Sequence, residues 1–303
     1  MKNKVVIIGC GNVGMAYAYA LLNQRTFVNE MVLIDLDMKR VEGEVMDLQH
    51  CLAFAPTKID IHCGDYNDCR DAKVVMIAAG VNQEPGETRM DLNVRNAAIF
   101  KEIVGKVMES GFNGVFLVAT NPVDVMSYLT YKYSGLPSNQ VMGTGTTLDT
   151  ARLRQIIGSR ININPKDVSA YVMGEHGDSA FVTYSSANIG GEKISDFISE
   201  EDYSSICHQV RKAAYEIIER KGATYYGIGV AMVYTTNAIL GDENTILTVS
   251  VYDETNEVYV GLPAIINKEG VKQKIYVNLN EKETRQLQTS IDIIKDAIES
   301  VRD

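Results

Sequence analysis

The sequence predicts an α/β fold, a doubly wound parallel sheet followed by an α+β domain, and three observations carry that prediction. Short β-rich apolar runs alternate with helical patterns through the first half: Val5 to Ile8, Met31 to Ile34, Val74 to Ala78 and Val115 to Ala119. Such runs suit strands of parallel βαβ units, which are covered on both faces. A glycine-rich turn, Gly9-Cys10-Gly11-Asn12-Val13-Gly14, follows the first run directly. Beyond about residue 143 the alternation gives way to long amphipathic stretches and then to further strand patterns.

Taken in order, Asn12 to Gln24 reads as the helix after the first strand, and Asp91 to Glu109 as a longer helix before the strand at Val115. In the second half, Ser205 to Lys221 reads as an amphipathic helix, Thr245 to Tyr252 and Val258 to Val260 as strands, and the region near Glu281 to Ser300 as a terminal helix. The expected division is residues 1–143 and 144–303. No linker rich in Pro, Gly or Ser separates them, so the halves are expected to pack together with a cleft between.

Bulk properties bound the function. The chain has 303 residues, enough for about two domains of roughly 150 residues. A hydrophobic share of 46% with 22% charged residues is ordinary for a globular protein. The net charge of -10 argues against non-specific binding to nucleic acid or anionic lipid. Five scattered cysteines without a C-x-x-C pair speak against a disulfide framework and for a reducing cytoplasm. The apolar run at Val5 ends after four residues, too short for a signal peptide, and no run approaches the roughly 18 residues of a membrane span.

Gly9, Gly11 and Gly14 form G-x-G-x-x-G after a strand and before a helix, the fingerprint of a Rossmann domain that brings a pyrophosphate to a helix N-terminus. The second strand ends in Asp35, 21 residues beyond Gly14. A carboxylate there accepts ribose hydroxyls and repels the extra phosphate of NADP, which favours NAD. Lys39 and Arg40 lie further on, where solvent is the expected environment. The turn by itself is equally compatible with a flavin or another adenosine ligand.

Of the four histidines, His50, His62 and His208 have bland structural readings, and the spacing of His62, Cys63 and Cys69 fits no common zinc pattern. His176 stands in Gly174-Glu175-His176-Gly177-Asp178, where flanking glycines let backbone and substrate approach. An imidazole titrating near neutrality suits reversible transfer of a hydroxyl proton, and a carboxylate beside it favours the protonated form. Asp149 and Arg152, three residues apart, share one helix face. Seen alone they are a surface ion pair or a functional set, with Asp149 orienting the histidine and Arg152 gripping a substrate carboxylate at two points. The segment Gly80 to Arg89 reads as a hinged lid or as a solvated loop; in the first case Arg89 enters the closed site and polarises the substrate carbonyl.

Together these residues closely resemble the L-lactate and L-malate dehydrogenase family, in order across nearly the whole chain. The shared motifs are the glycine triplet, Asp35, Gly86-Glu87-Thr88-Arg89, Thr120-Asn121-Pro122-Val123-Asp124, Leu148-Asp149-Thr150-Ala151-Arg152 and Gly174-Glu175-His176-Gly177. The resemblance implies His176 as acid and base, Asp149 as its partner, Arg152 as carboxylate anchor and Arg89 as carbonyl polariser. It also implies cofactor contacts from Gly9, Gly11, Asn12, Val13, Gly14, Asp35, Asn121 and Ile228, and substrate contacts from Gln83, Asn121 and Thr224. Glutamine at position 83 resembles the lactate enzymes, whereas malate enzymes carry arginine there. Burying the second carboxylate of oxaloacetate beside Gln83 and Glu84, without a cation, would cost several kcal/mol. The implied reaction is hydride transfer between NADH and pyruvate, giving L-lactate.

The resemblance further implies a homotetramer. The first strand begins close to Met1, without the N-terminal arm that ties subunits together in vertebrate relatives, so a weaker dimer of dimers is the alternative. Relatives activated by fructose 1,6-bisphosphate carry an arginine at Arg154 and a histidine where Ser169 stands, so the missing histidine argues against activation. The competing functions are a malate or broad 2-hydroxy acid dehydrogenase, and a non-catalytic NAD-binding protein; the latter is expected to lose His176, Arg152 or Arg89, and all three are present.

Overall fold

The computed structural model describes residues 2–81 and 89–301, the side chains of Arg89 and Met90 excepted. The expected lid around Gln83 and the Arg89 side chain therefore lie outside the described residues.

Six parallel strands form the first half: β1 (Lys4–Ile8), β2 (Glu30–Ile34), β3 (Asp60–Cys63), β4 (Val74–Ile77), β5 (Val115–Val118) and β6 (Val141–Gly143). Their spatial order is β3-β2-β1-β4-β5-β6, the doubly wound arrangement in which chain order reverses beside β1. The helices between them are α1 (Asn12–Asn23), α2 (Met38–Cys51), α3 (Arg89–Glu109) and α4 (Val123–Ser134). Successive strand residues point to opposite faces. Val5 and Ile7 accordingly enter a core shared with α1 and α2, while Val6 and Ile8 enter a second core with Phe100 of α3 and Met126 of α4. Burial on both faces explains why these strands read as unbroken apolar runs.

The second half begins with α5 (Thr147–Ile161) and a group of two-residue strands: β7 (Val168–Ser169), β8 (Val172–Met173), β9 (Phe181–Val182), β10 (Asn188–Ile189) and β11 (Glu192–Lys193). Then come α6 (Glu200–Lys221), α7 (Tyr226–Leu240), β12 (Thr245–Asp253), β13 (Val258–Asn267), β14 (Gly270–Lys274) and α8 (Glu281–Glu299). A third core joins Leu153 and Ile157 of α5 with Val168, Val172, Ile206 and Val210.

The last three strands do not build a sheet of their own. β12 pairs antiparallel with β6, Ser250 opposite Gly143, and β13 and β14 follow, so one nine-stranded sheet runs through both halves. α7 returns to the first half: Gly229 meets the backbone of Ala16, and the Tyr17 hydroxyl and Thr236 Oγ1 are 2.6 Å apart. The five cysteines are all free.

Candidate active site

The glycine turn occupies the carboxyl end of β1. Gly9 has φ +98°, and a Cβ on Gly14 would lie 2.0 Å from the Gly9 carbonyl oxygen, so both positions require glycine. A Cβ on Gly11 would meet nothing within 4 Å, which leaves open space over the turn. Gly11 caps α1 without a side-chain hydrogen bond, so the first amides of that helix are available to an anion. Asn12 is exposed and Val13 half-buried beside this opening.

Asp35 follows β2, and its Oδ2 accepts the Cys10 amide at 2.7 Å while its Oδ1 accepts the Asp37 amide at 3.2 Å. The carboxylate is thereby fixed to the glycine turn. An open turn, uncapped amides and a tethered acid at the end of β2 fit the pyrophosphate and adenosine ribose of a dinucleotide. Lys39 and Arg40 are exposed.

The second cluster joins α5 to the segment after β8. Asp149, in the first turn of α5, is buried, and its two oxygens serve two cations: Oδ2 meets His176 Nδ1 at 2.8 Å and Oδ1 accepts from Arg152 Nη1 at 2.9 Å. Burial alone would push Asp149 up, but the charges and hydrogen bonds of His176 and Arg152 outweigh it and hold this carboxyl below its usual range. Burial likewise opposes protonation of His176, yet Asp149 overcomes it and the imidazole titrates higher than usual. The α5 start is held by Thr150 Oγ1, 2.8 Å from Thr248 Oγ1 on β12 and accepting the Val172 amide at 3.0 Å.

The histidine segment is anchored on three sides. Gly174, with φ +95°, exchanges backbone hydrogen bonds with Gly261 of β13 at 3.0 and 2.9 Å, and a Cβ there would press on Ser290 of α8 at 2.4 Å. The Tyr215 hydroxyl of α6 donates to Asp178 at 2.8 Å. The His176 amide donates to Asp124 Oδ2 at 2.8 Å.

Asn121 lies between β5 and α4, joined to Pro122 by a cis peptide bond, and its carbonyl accepts from Asn96 at 3.4 Å. A cavity of about 210 Å³ brings together Asn121, Asp149, Arg152, His176, Arg211 and Tyr215. A second of about 430 Å³ lies against Asn121, Asp124, Glu175 and His176. Thr224 and Ile228, on the α6–α7 connection and in α7, are half-buried and do not line the smaller cavity. Arg211 and Tyr215 line it instead; the amphipathic pattern of α6 marked only their helix, and only the tertiary packing identifies which face meets the site.

The remaining histidines have structural surroundings. His62 lies 3.0 Å from the Cys63 carbonyl and 3.5 Å from Glu30, and His50 and His208 are exposed. Arg154 donates to the Ala170 carbonyl at 3.2 Å and stacks over Tyr171, and Ser169 lies in β7 opposite Asn188.

Comparison with known proteins agrees with this geometry. The family model for the lactate/malate dehydrogenase NAD-binding domain matches residues 3–143, and that for the alpha/beta C-terminal domain matches residues 146–303. An L-lactate dehydrogenase of Halalkalibacterium halodurans is 48% identical, over 97% of this chain and 96% of its own. L-lactate dehydrogenase 2 of Bacillus anthracis is 47% identical, over 99% and 98%. Among solved structures, a lactate dehydrogenase from a Medee basin deep-sea metagenome library superposes with a TM-score of 0.97 at 52% identity, covering 99% of both chains. The minor L-lactate dehydrogenase of Enterococcus mundtii in its ligands-bound form gives 0.96 at 42% identity, again over 99% of both. With its glycine turn, its Asp149–His176–Arg152 cluster and matches that run from end to end, this chain belongs to the lactate/malate dehydrogenase family.

Proposed function

We propose that this chain is an NAD-dependent L-lactate dehydrogenase, reversibly converting pyruvate and NADH into L-lactate and NAD. The observation that carries the reading is the single buried carboxylate of Asp149, shared between an imidazole and a guanidinium on one cavity wall. When bound, the nicotinamide supplies the hydride that reduces the carbonyl carbon. Arg152 binds the pyruvate carboxylate, and its planar donors fix the orientation of the carbonyl. Asp149 occupies Nδ1 of His176, so Nε2 is the nitrogen that gives its proton to the carbonyl oxygen and takes it back from lactate. Asp149 keeps the imidazolium stable before transfer, since the raised affinity of His176 for its proton comes chiefly from that carboxylate. Asn121 faces the same cavity and orients the substrate.

Arg89 is assigned to carbonyl polarisation and Gln83 to selection against a second carboxylate, both on sequence grounds. Gly9, Gly11, Asn12, Val13, Gly14, Asp35 and Ile228 are assigned to NAD, and Thr224 to the substrate pocket. We assign residues 1–143 to dinucleotide binding and 144–303 to substrate chemistry, and place the protein in the cytoplasm as a homotetramer. Support for self-association comes from Tyr226, Val230 and Tyr234, exposed at four-residue intervals on α7, and from Tyr19 on the adjoining α1.

The test is kcat/KM for NADH oxidation with pyruvate and with oxaloacetate on one preparation, with and without fructose 1,6-bisphosphate. Strong preference for pyruvate, unchanged by the bisphosphate, is expected. Preference for oxaloacetate refutes the substrate assignment.

A further inference from the structure

We propose that Asp124 and Ser250 form a second positioning pair for His176, which fixes its backbone while Asp149 holds its ring, and adds a negative charge that favours the imidazolium. Asp124 stands in the first turn of α4 and is 2% exposed, while Ser250 of β12 is 0% exposed. One oxygen of Asp124 accepts the His176 amide at 2.8 Å and the other accepts the Ser250 hydroxyl. Its carboxylate thus joins three elements distant in the chain: the end of β5 through α4, the middle of β12, and the histidine segment.

Satisfying one amide and one hydroxyl requires no charge; an asparagine or a water would serve. A carboxylate in this place is disfavoured by burial, which pushes its pKa up to about 6 despite Ser250, the His176 amide and the His176 charge. It is nonetheless ionised at neutral pH. The charged groups facing Asp124 are His176 and Glu175, and those facing His176 are Asp149, Asp124 and Arg152. Asp124 therefore offsets part of the repulsion that Arg152 exerts on the imidazolium.

The inference rests on His176 being the acid and base of the reaction, but its test does not depend on the substrate. The titration of the His176 imidazole is followed by NMR in the substrate-free protein, its resonance assigned with His176→Ala. Asp124→Asn keeps an acceptor for the His176 amide and removes the charge, so the His176 midpoint should fall by about half a unit to one unit. Ser250→Ala strips a hydrogen bond from the carboxylate and should move the midpoint the same way by less. In steady-state assays, Asp124→Asn should shift the pH profile of kcat/KM for pyruvate by the same amount and leave the KM for NADH within about twofold. Coincident titration of His176 in the wild type and both variants overturns the proposal. Failure of the wild type to reduce pyruvate, with the NMR shift intact, removes the substrate assignment and leaves the pair standing.

Discussion

Asp149→Asn is the perturbation with the clearest consequence, because an amide cannot replace a carboxylate that accepts from two cations. The guanidinium of Arg152 has only donors, so the asparagine carbonyl must face it. The amide nitrogen then faces His176 Nδ1, which lies 2.8 Å from the native carboxylate and must become an acceptor. That arrangement permits the neutral imidazole and opposes the imidazolium. A hydrogen bond between charged groups contributes about 1.5–3 kcal/mol. At roughly 1.4 kcal/mol per tenfold, its loss corresponds to a fall in kcat/KM of about 10- to 150-fold. The assay is pyruvate reduction across pH 5–9, with NADH affinity measured separately by fluorescence. We expect the large fall at pH 7, a profile displaced to lower pH, and unchanged NADH affinity. A fall below about threefold, or a profile that does not move, would refute the claim that Asp149 sustains the protonated histidine.

Asp124 also predicts a pH-dependent stability. Its carboxyl titrates at about 6 when folded against 3.8 as the reference value, so between these values the folded state binds more protons and stability declines as pH rises. Above pH 6 the full penalty is about 3 kcal/mol. Asp124→Asn should therefore melt higher than the wild type at pH 7.5, with the difference vanishing near pH 4; equal melting temperatures at both would contradict this. Asp35→Ser should lower kcat/KM with NADH about tenfold and narrow its margin over NADPH, because the repelling carboxylate is gone; an unchanged ratio of the two cofactors would exclude Asp35 as the discriminator. Gln83→Arg should raise the oxaloacetate to pyruvate ratio of kcat/KM by supplying a cation for the second carboxylate, and a constant ratio would show that position 83 does not contact the substrate.

What could be read from sequence was local. The strands at Val5, Met31, Val74 and Val115 announced themselves because burial on both faces makes every position apolar. By contrast, β6 is three residues long and offers no period, and the edge strand β3, Asp60-Ile61-His62-Cys63, alternates polar and apolar residues instead of running apolar throughout. The α2 stripe of Val41, Val45 and Leu48 has helical spacing, but its three apolar positions stand among charged and polar residues and make a weak signal. β13 was legible over Val258 to Val260 and extends to Asn267, past Pro263, a residue that ordinarily argues against a continuing strand. At the site, Asp149 and Arg152 were readable as a pair because helix geometry relates residues three apart. The link between Asp124 and His176 was not: it spans 52 positions and ends on a backbone amide, which no residue type announces.

The junction of β6 with β12 has a mechanical meaning. Asn121 and Asp124 belong to the first half of the chain and Asp149, Arg152 and His176 to the second, which invites a picture of two jaws. Yet the pairing of Gly143 with Ser250 lies in the interior of a continuous sheet, with two more strands beyond it on one side and five beyond β6 on the other. Swinging one half away would tear hydrogen bonds from a region closed to water, where no solvent can replace them. The candidate site's residues from both halves are thus set on one continuous sheet, which ties their spacing to its hydrogen bonds.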